Sequence, residues 1–372
     1  MNLTKCGIVI TSIYDTGWIE RISQNILSSN EQDNVKIFYI SDNKTPAVCF
    51  EKIKFASKRG IKFWAPTKDE QIIFQKKFGI ENFILENSDH RRNIGYLKAY
   101  YDEVDFVISM DDDNFPVAIN FIDQHRQMLL KKDDLNCVDS SNNFFNNCTL
   151  LDSNTFVHPR GYPTNKKEKS LIKNLKMSDL KMGVNAGMWT IAPDVDAISW
   201  LVKYQEFNNI DLVNQVVLAR NTFCPINSQN TSLIRELIPA YYFVRMNYDI
   251  GGGLKFDRLG DIYSGYFLQK IAKSLSYSVS FGMPLVSHER NSHDYLNDAN
   301  AEWGCFRTID SFSEWLVNLQ LNNESVTKSF EQLAEELDDF ASIANFRYVG
   351  SATSGFYHQM AFDMKKWIKL FK

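Results

Sequence analysis

Three consecutive aspartates are the side chains best suited to chemistry in this sequence. Asp111, Asp112 and Asp113 directly follow an apolar run that ends at Met110. Adjacent carboxylates repel one another unless a cation neutralises them, and hard divalent cations bind carboxylate and phosphate oxygens together. Alternate residues of an extended segment point to one side, so the DxD pattern of Asp111 and Asp113 predicts a metal site, with Asp112 beside the substrate. An acidic surface turn is the alternative.

His288 is the candidate for a further metal ligand. His288 follows the strand-like run that begins at Pro284, and the neutral imidazole is a common metal ligand. A structural histidine with satisfied hydrogen bonds is the alternative interpretation.

Arg160 is the candidate for contact with an anionic group. It lies within Val157–Pro163, where two prolines and a glycine predict a tight, rigid backbone. A rigid guanidinium suits a diphosphate or a carboxylate, because its planar fork donates two parallel hydrogen bonds.

Two further segments carry candidate ligand contacts. Glycines in Gly183–Trp189 allow the backbone to approach a ligand closely, which predicts Asn185, Gly187 and Trp189 as substrate-binding residues. A turn with a core tryptophan is the alternative. Asp261 precedes a predicted helix, either as its N-cap or as a group that contacts the substrate and receives a proton.

The elements that position these residues alternate between strand and helix. The strand-like runs are Gly7–Ser12, Val35–Ile40, Asn82–Glu86 and Asp105–Met110, and helical spacing marks Trp18–Leu27 and Arg92–Tyr101. This alternation predicts an α/β fold with a mostly parallel, doubly wound sheet. Such sheets bind ligands beyond the carboxyl ends of their strands, so Thr11, Ser12, Asp42 and the triplet are expected to line one cleft.

The chain changes character after residue 308. Amphipathic helices are predicted at Ser311–Leu321, Glu324–Phe346 and Phe356–Lys372, which divides the chain into a domain at 1–308 and a helical extension at 309–372. The last helix carries an aromatic and apolar stripe bordered by lysines. Packing against the main domain is the first interpretation, and contact with a membrane surface is the second.

Bulk composition excludes several classes of protein. With 41 Lys and Arg, 45 Asp and Glu and a formal net charge of −4, the chain lacks the basic excess of a nucleic-acid binder. Six scattered cysteines without CxxC spacing argue against a zinc knuckle. No apolar stretch approaches the roughly 20 residues of a membrane span, and the amino terminus lacks a secretory pattern. We expect a cytoplasmic protein with reduced thiols.

In combination, the motifs resemble two related groups, the plant reversibly glycosylated polypeptides, which are UDP-arabinopyranose mutases, and the STELLO-type glycosyltransferase-like proteins. The similarity covers roughly residues 5 to 305 and rests on the triplet and on Arg160–Pro163, Gly187–Trp189, Pro193–Asp196, Asp261–Phe267 and Gly282–His288. It implies a GT-A fold, a Rossmann-like α/β domain that binds a nucleotide sugar and Mn²⁺ or Mg²⁺. It also implies metal ligation by the triplet and His288.

The resemblance has one departure that bears on activity. In the mutases, the arginine that Arg160 matches is needed for activity and can become glycosylated. A second arginine lies seven positions later in those proteins, and here that position holds Lys167.

Three hypotheses remain. The first is a glycosyltransferase of surface polysaccharide synthesis, which moves a sugar from a nucleoside diphosphate to a glycan or lipid-linked acceptor. The second is a mutase that interconverts pyranose and furanose forms of a nucleotide sugar without an acceptor. The third is a scaffold or lectin-like subunit without catalysis. A peripheral position on the inner face of a membrane and a homo-oligomer are left open.

Both enzyme hypotheses use the same site. Thr11, Ser12 and Asp42 line the base and ribose site, and Arg92 approaches the phosphates. The residues expected around the sugar are Asn185, Gly187, Trp189 and Asp261. Arg160 and Asp261 are the expected catalytic residues.

Overall fold

The central sheet is built from the apolar runs of the sequence. The structure, a computed structural model, describes residues 2–133, 135–152, 155–168, 171–207, 215–343 and 350–371. Within these ranges the strands are β1 (Cys6–Ser12), β2 (Val35–Ser41), β3 (Lys62–Trp64), β4 (Phe106–Met110), β5 (Asn114–Pro116), β6 (Leu135–Ser140), β7 (Ile172–Met177), β8 (Met182–Ile191), β9 (Val216–Leu218), β10 (Asn230–Ile234), β11 (Tyr248–Gly251), β12 (Leu254–Phe256) and β13 (Ser278–His288). The helices are α1 (Trp18–Ser28), α2 (Ala47–Lys58), α3 (Lys68–Lys76), α4 (Arg92–Tyr101), α5 (Phe121–Leu130), α6 (Ala197–Val202), α7 (Gly260–Ser274), α8 (Tyr295–Asn318), α9 (Val326–Ile343) and α10 (Gly350–Ile368).

The sheet is mostly parallel at its centre. In the described part of the chain its order is β3-β2-β1-β4-β10-β8-β13-β9-β6-β7, with β5 paired to β13. β3, β2, β1, β4, β8 and β13 run in one direction, and β10 runs against them. β11 and β12 form a separate hairpin. This arrangement confirms the predicted fold class, an α/β domain with a Rossmann-like sheet and a helical carboxyl-terminal region.

The strand directions gather several chain segments at one edge of the sheet. The carboxyl ends of β1, β4, β8 and β13 lie there because these strands run the same way. The reversed strand β10 brings its amino end to the same edge, where Asn230 pairs with Met110. The residues just before β10 therefore lie beside the aspartate triplet.

One predicted strand is wrong. Residues 82–86 form turns rather than a strand, and the next strand of the parallel set after β2 is β3. Phe83 and Ile84 are nevertheless buried, and Phe83 packs edge-on against His90. A short apolar run can anchor a loop as well as a strand, and its length alone does not distinguish the two.

The carboxyl-terminal helices share a core with the sheet domain. α8 begins at Tyr295, so the predicted boundary at residue 308 lies inside a continuous helix. Side chains from both sides of that boundary belong to one hydrophobic cluster. The division into two domains stays a prediction. Residues 344–346 of the second predicted helix, and Lys372, lie outside the described residues.

The apolar stripe of the last helix packs inward. Phe356, Met360, Met364 and Trp367 are all 2% exposed or less, and the Trp367 indole donates to the Pro239 carbonyl at 2.9 Å. The packing interpretation is therefore correct for this stripe, and its side chains are not presented to a membrane surface. Among the described helices, none is long and apolar enough to cross a membrane.

Candidate active site

A cleft of about 200 Å³ opens at the ends of β1 and β2. It is lined by Thr11, Ser12, Ile13, Tyr14, Ile40, Asp42, Lys44, Asn87, Ser88, Asp89, Arg91 and Asp112. The structure thus brings together four residues predicted to bind substrate, Thr11, Ser12, Asp42 and Asp112. Ser12 Oγ donates to the Asp112 carboxylate, and the Ser88 amide donates to Asp42 at 3.2 Å.

Arg92 lies behind the first aspartate of the triplet. The guanidinium is 3% exposed and donates to Asp111 Oδ1 at 2.6 Å and to Thr11 Oγ1 at 3.2 Å. Burial works against its charge, but Asp111 outweighs that effect and raises the pKa of Arg92 above its usual range. Arg92 is therefore a fixed cation that holds Asp111, rather than a mobile group in the cleft.

The other two aspartates of the triplet face different partners. His288 Nδ1 donates to the Ala192 carbonyl at 2.7 Å, which directs Nε2 at Asp113 Oδ2, 3.5 Å away. Burial raises the pKa of Asp113, but His288 outweighs it and the net shift is downward. Burial, with help from Asp113 and Asp111, raises the pKa of Asp112 to about 7.

The predicted metal ligands are only partly gathered. The described residues include no group of three or more His, Cys, Asp or Glu side chains arranged to hold a metal ion. Asp113 and His288 face each other, whereas Asp111 is turned to Arg92. The donor set still fits a hard divalent cation, because Mg²⁺ is usually bound by one or two carboxylates together with substrate phosphates and water. His288 also has the backbone hydrogen bond that orients a metal-binding imidazole.

Arg160 lies between two buried carboxylates. Its Nε and Nη2 donate to Asp194 at 2.9 and 3.2 Å, and Nη2 donates to Asp261 Oδ2 at 2.9 Å. Burial opposes the charge, but Asp194 and Asp261 raise the pKa of Arg160 well above its usual value. Burial also raises the pKa of Asp261, against the effect of Arg160. Within the described ranges, Arg160 Nη1 donates no hydrogen bond to another residue.

Ser228 joins the two groups and was not predicted from the sequence. Its Oγ donates to Asp111 Oδ1 at 3.1 Å, and its amide donates to Asp261 Oδ2 at 3.3 Å. Its carbonyl accepts from Arg92 at 3.2 Å. The neighbouring Asn227 donates to Asp194 at 2.8 Å. Both residues precede β10, and no local motif marks them, since only the reversed strand brings them to this edge.

Three predicted substrate-binding residues lie in the core instead. The Asn185 amide is fully buried and bonds to His125, Met283, Gln215 and Ser280. A side chain at Gly187 would meet the Asn230 amide, and Trp189 is only 2% exposed. The structure does not bring these residues together with the triplet.

Two solved structures resemble this chain at low identity and with TM-scores below 0.5. A mannosyltransferase from Pyrobaculum calidifontis, solved with GDP-Man and Mn²⁺, has a TM-score of 0.40 and 8% identity over 98% of this chain and 73% of that one. Staphylococcus aureus TarS residues 1–349, solved with UDP-GlcNAc, has a TM-score of 0.38 and 11% identity over 96% of this chain and 90% of that one.

Two relatives in sequence are UDP-arabinopyranose mutases. UDP-arabinopyranose mutase 2 of Arabidopsis thaliana is 30% identical over 233 residues, which cover 60% of this chain and 58% of the plant protein. UDP-arabinopyranose mutase 1 of Oryza sativa subsp. japonica is 29% identical over 245 residues, 62% of this chain and 60% of that protein. The matched regions thus span about three fifths of these relatives.

A family model matches a larger part of the chain. The reversibly glycosylated polypeptide model matches residues 66–372, which include the aspartate triplet, Arg160 and Asp261. The match also includes the carboxyl-terminal helices, where the sequence motifs showed no resemblance. The chain therefore belongs to the reversibly glycosylated polypeptide family.

Proposed function

We propose that this chain is a nucleotide-sugar mutase, which interconverts pyranose and furanose forms of a UDP-linked sugar. The position of Arg160 is the observation that carries the proposal. Asp194 and Asp261 hold its guanidinium, and Ser228 bonds both to Asp261 and to Asp111 of the aspartate triplet. The name shared by the relatives supports a mutase over a transferase. An enzyme of this class needs a nucleoside site, a diphosphate site and a fixed charge near the anomeric carbon, and these groups offer each of them.

The proposed reaction is an isomerisation without gain or loss of atoms. The bond between the anomeric carbon and the β-phosphate oxygen breaks, and its electron pair leaves with the diphosphate. A different hydroxyl oxygen of the sugar bonds to the anomeric carbon, and the bond from that carbon to the old ring oxygen breaks. One proton moves from the new ring oxygen to the old one, and the bond to phosphate forms again. The nucleoside is held in the cleft of Thr11, Ser12 and Asp42 throughout.

The chain's own groups would stabilise the separated charges. The proposed ligands of Mn²⁺ or Mg²⁺ are Asp111, Asp113 and His288. When bound, the metal supplies Lewis-acid stabilisation of the leaving diphosphate. Arg160 is fixed before the reaction, so its charge requires little rearrangement to stabilise the transition state. Asp261 is the proposed proton carrier, because burial raises its pKa and so favours the proton-accepting role.

A glycosyltransferase is the second candidate, supported by a cleft beside the segment Val157–Pro163, which carries Arg160. This cleft has a volume of about 770 Å³, and Thr164 and Lys167, which follow the segment, line it. Its aromatic wall consists of Phe156, Tyr204, Phe207, Trp303 and Phe306. An acceptor glycan would find stacking surfaces there, and Lys167 replaces the second arginine that the mutases carry. The acceptor would be a glycan or a lipid-linked sugar.

An assay without acceptor separates the two candidates. Purified protein is incubated with Mn²⁺ and UDP-arabinopyranose, and with other UDP-, GDP-, CDP- and dTDP-sugars in parallel, and the nucleotide pool is analysed by chromatography. We expect a new peak with the mass of the starting nucleotide sugar and no stoichiometric release of nucleoside diphosphate. An unchanged donor that still raises the melting temperature of the protein would contradict the mutase and favour the transferase.

A further inference from the structure

Arg290 follows the end of β13 and takes no part in the ion-pair groups of Arg92 and Arg160. Its guanidinium carbon lies 4.6 Å from the centre of the Trp200 ring and 5.3 Å from that of Tyr295. Its Nη1 is buried without a hydrogen-bond partner, and the residues that the structure describes form no ion pair or hydrogen bond with its side chain. A cation held against two aromatic rings and lacking an anion is unusual, because burying an unpaired charge is costly.

The carboxylates around Arg290 are already paired with other cations. Asp194 and Asp298 both act on Arg290 electrostatically. Asp194 accepts from Arg160 and Asn227, and Asp298 pairs with Arg258 at 3.0 Å and with His293 at 2.9 Å. Neither is directed at Arg290. Its positive charge is therefore left for a group that is not part of the described chain.

The backbone brings the residue before Arg290 next to the triplet. β13 ends at His288, and the amide of Glu289 donates to the Asp113 carbonyl at 2.9 Å. Its side chain turns outward to Arg21, 2.6 Å away. Because side chains alternate along an extended segment, Arg290 is expected on the same side as His288, which faces Asp113.

We infer that Arg290 binds a phosphate of the nucleoside diphosphate, next to Asp113 and His288. This inference rests on the proposed function, because it assigns the anion to the nucleotide of that reaction. A guanidinium matches phosphate geometrically through two parallel hydrogen bonds. The Trp200 and Tyr295 rings restrict its movement, so little side-chain entropy is lost when the anion binds. The alternative is a purely structural arginine that ties the end of β13 to α6 and α8.

The test compares nucleotide binding by variants that keep the packing. Arg290→Met preserves the aliphatic length against Trp200 and removes the guanidinium, and Arg290→Lys keeps a charge without the planar fork. Calorimetry with excess Mn²⁺ measures the affinities for uridine and for UDP. We expect Arg290→Met to weaken UDP binding by about 10- to 100-fold, the scale of a lost charged hydrogen bond, with uridine binding unchanged. Arg290→Lys should recover part of the loss.

A matched control variant tests whether Arg290 has only a structural role. Arg21→Met deletes another arginine that stacks on a ring, 3.8 Å from the centre of Phe115, but Arg21 already pairs with Glu289. It should leave UDP affinity unchanged. Wild-type UDP affinity in Arg290→Met, or an equal loss for uridine and UDP, would overturn the inference. Failure of the wild type to bind any nucleotide would instead overturn the proposed function.

Discussion

At the scale of single residues, the site is organised by arginines that hold carboxylates in place. Arg92 fixes Asp111, and Arg160 fixes Asp194 and Asp261. Both arginine side chains are nearly buried, so each requires its carboxylate partner. Within the described residues, Ser228 hydrogen-bonds to both ion-pair groups. The position of Asp111 relative to Asp261 therefore depends in part on one small side chain and its backbone.

Ser228→Ala should separate this positioning role from folding. The change removes the hydrogen bond from Oγ to Asp111 but keeps the backbone bonds to Asp261 and Arg92. A hydrogen bond of this kind contributes about 0.5–1.5 kcal/mol, so we expect kcat to fall by roughly 2- to 10-fold. KM and the melting temperature should change little. A parallel loss of kcat and stability would indicate a structural role only.

The sequence predicted part of this residue-level arrangement. Thr11, Ser12, Asp42 and Asp112 lie at or just after strand ends, so chain order was enough to place them in one cleft. Asp111 and Asp113 were expected there too, but they face Arg92 and His288. Ser228 and Asn227 were missed because they precede a reversed strand, and strand direction cannot be inferred from a short apolar run. Asn185 was expected to face the ligand, but its amide bonds to residues from α5 and β13, contacts that are distant in sequence.

At the scale of elements, a buried polar network joins α5 to the sheet. His125 Nε2 donates to Asn230 Oδ1 at 2.9 Å, and the Asn185 amide donates to His125 Nδ1 at 3.2 Å. Asn230 in turn donates to the carbonyls of Met188 and Pro284. Gly187 leaves the space for this amide, since a side chain there would come within 2.2 Å of it. The network fixes β8, β10 and β13 relative to one another beneath the site.

His125 should make stability fall as the pH decreases. Burial lowers the pKa of His125 to about 3, while the unfolded chain keeps a value near 6.5. The folded-state pKa is depressed, so the stabilisation is present above the unfolded pKa and is lost as the pH falls below it. From about pH 6 to 4, this group should lower the free energy of unfolding by about 1.4 kcal/mol per pH unit.

The measurement is urea unfolding of wild type and His125→Gln at several pH values. The variant should be less stable than wild type at pH 7, because it disturbs the network. The free energy of unfolding of the variant should depend less steeply on pH, because its unfolding takes up about one proton fewer. Parallel pH profiles would show that His125 does not supply this proton.

The elements themselves were predicted unequally well. α4 forms at the predicted residues and α1 extends one residue beyond its predicted end, because apolar side chains at helical spacing define a buried face. The predicted strand at residues 82–86 failed, because two buried side chains can anchor a loop. α8 starts well before its predicted helix, since its first turns pack against α6 and β12 rather than following an obvious apolar period.

At the scale of the whole molecule, the carboxyl-terminal helices bond directly to elements of the sheet domain. Trp367 of α10 bonds to Pro239, and Tyr357 of the same helix bonds to Tyr263 of α7, the helix that carries Asp261. The family match over residues 66–372 includes these helices. We therefore expect the carboxyl-terminal helices to be needed for the geometry around Asp261, although they contribute no predicted catalytic group.

The proposed reaction breaks and re-forms the bond between the sugar and the diphosphate while the protein keeps both parts. Positional isotope exchange tests it directly, with a UDP-sugar that carries ¹⁸O between the anomeric carbon and the β-phosphorus. Asp33→Ala is the control for Asp113→Ala, because the Asp33 side chain is 91% exposed. The reaction is run with Mg²⁺, and the label is followed by phosphorus NMR.

We expect wild type and Asp33→Ala to move the label into non-bridging β-phosphate positions. Asp113→Ala should not move it at a measurable rate, because the metal that binds the diphosphate loses one of its proposed protein ligands. Wild-type protein that binds the UDP-sugar but leaves all of the label in the bridge would contradict the proposed mutase reaction.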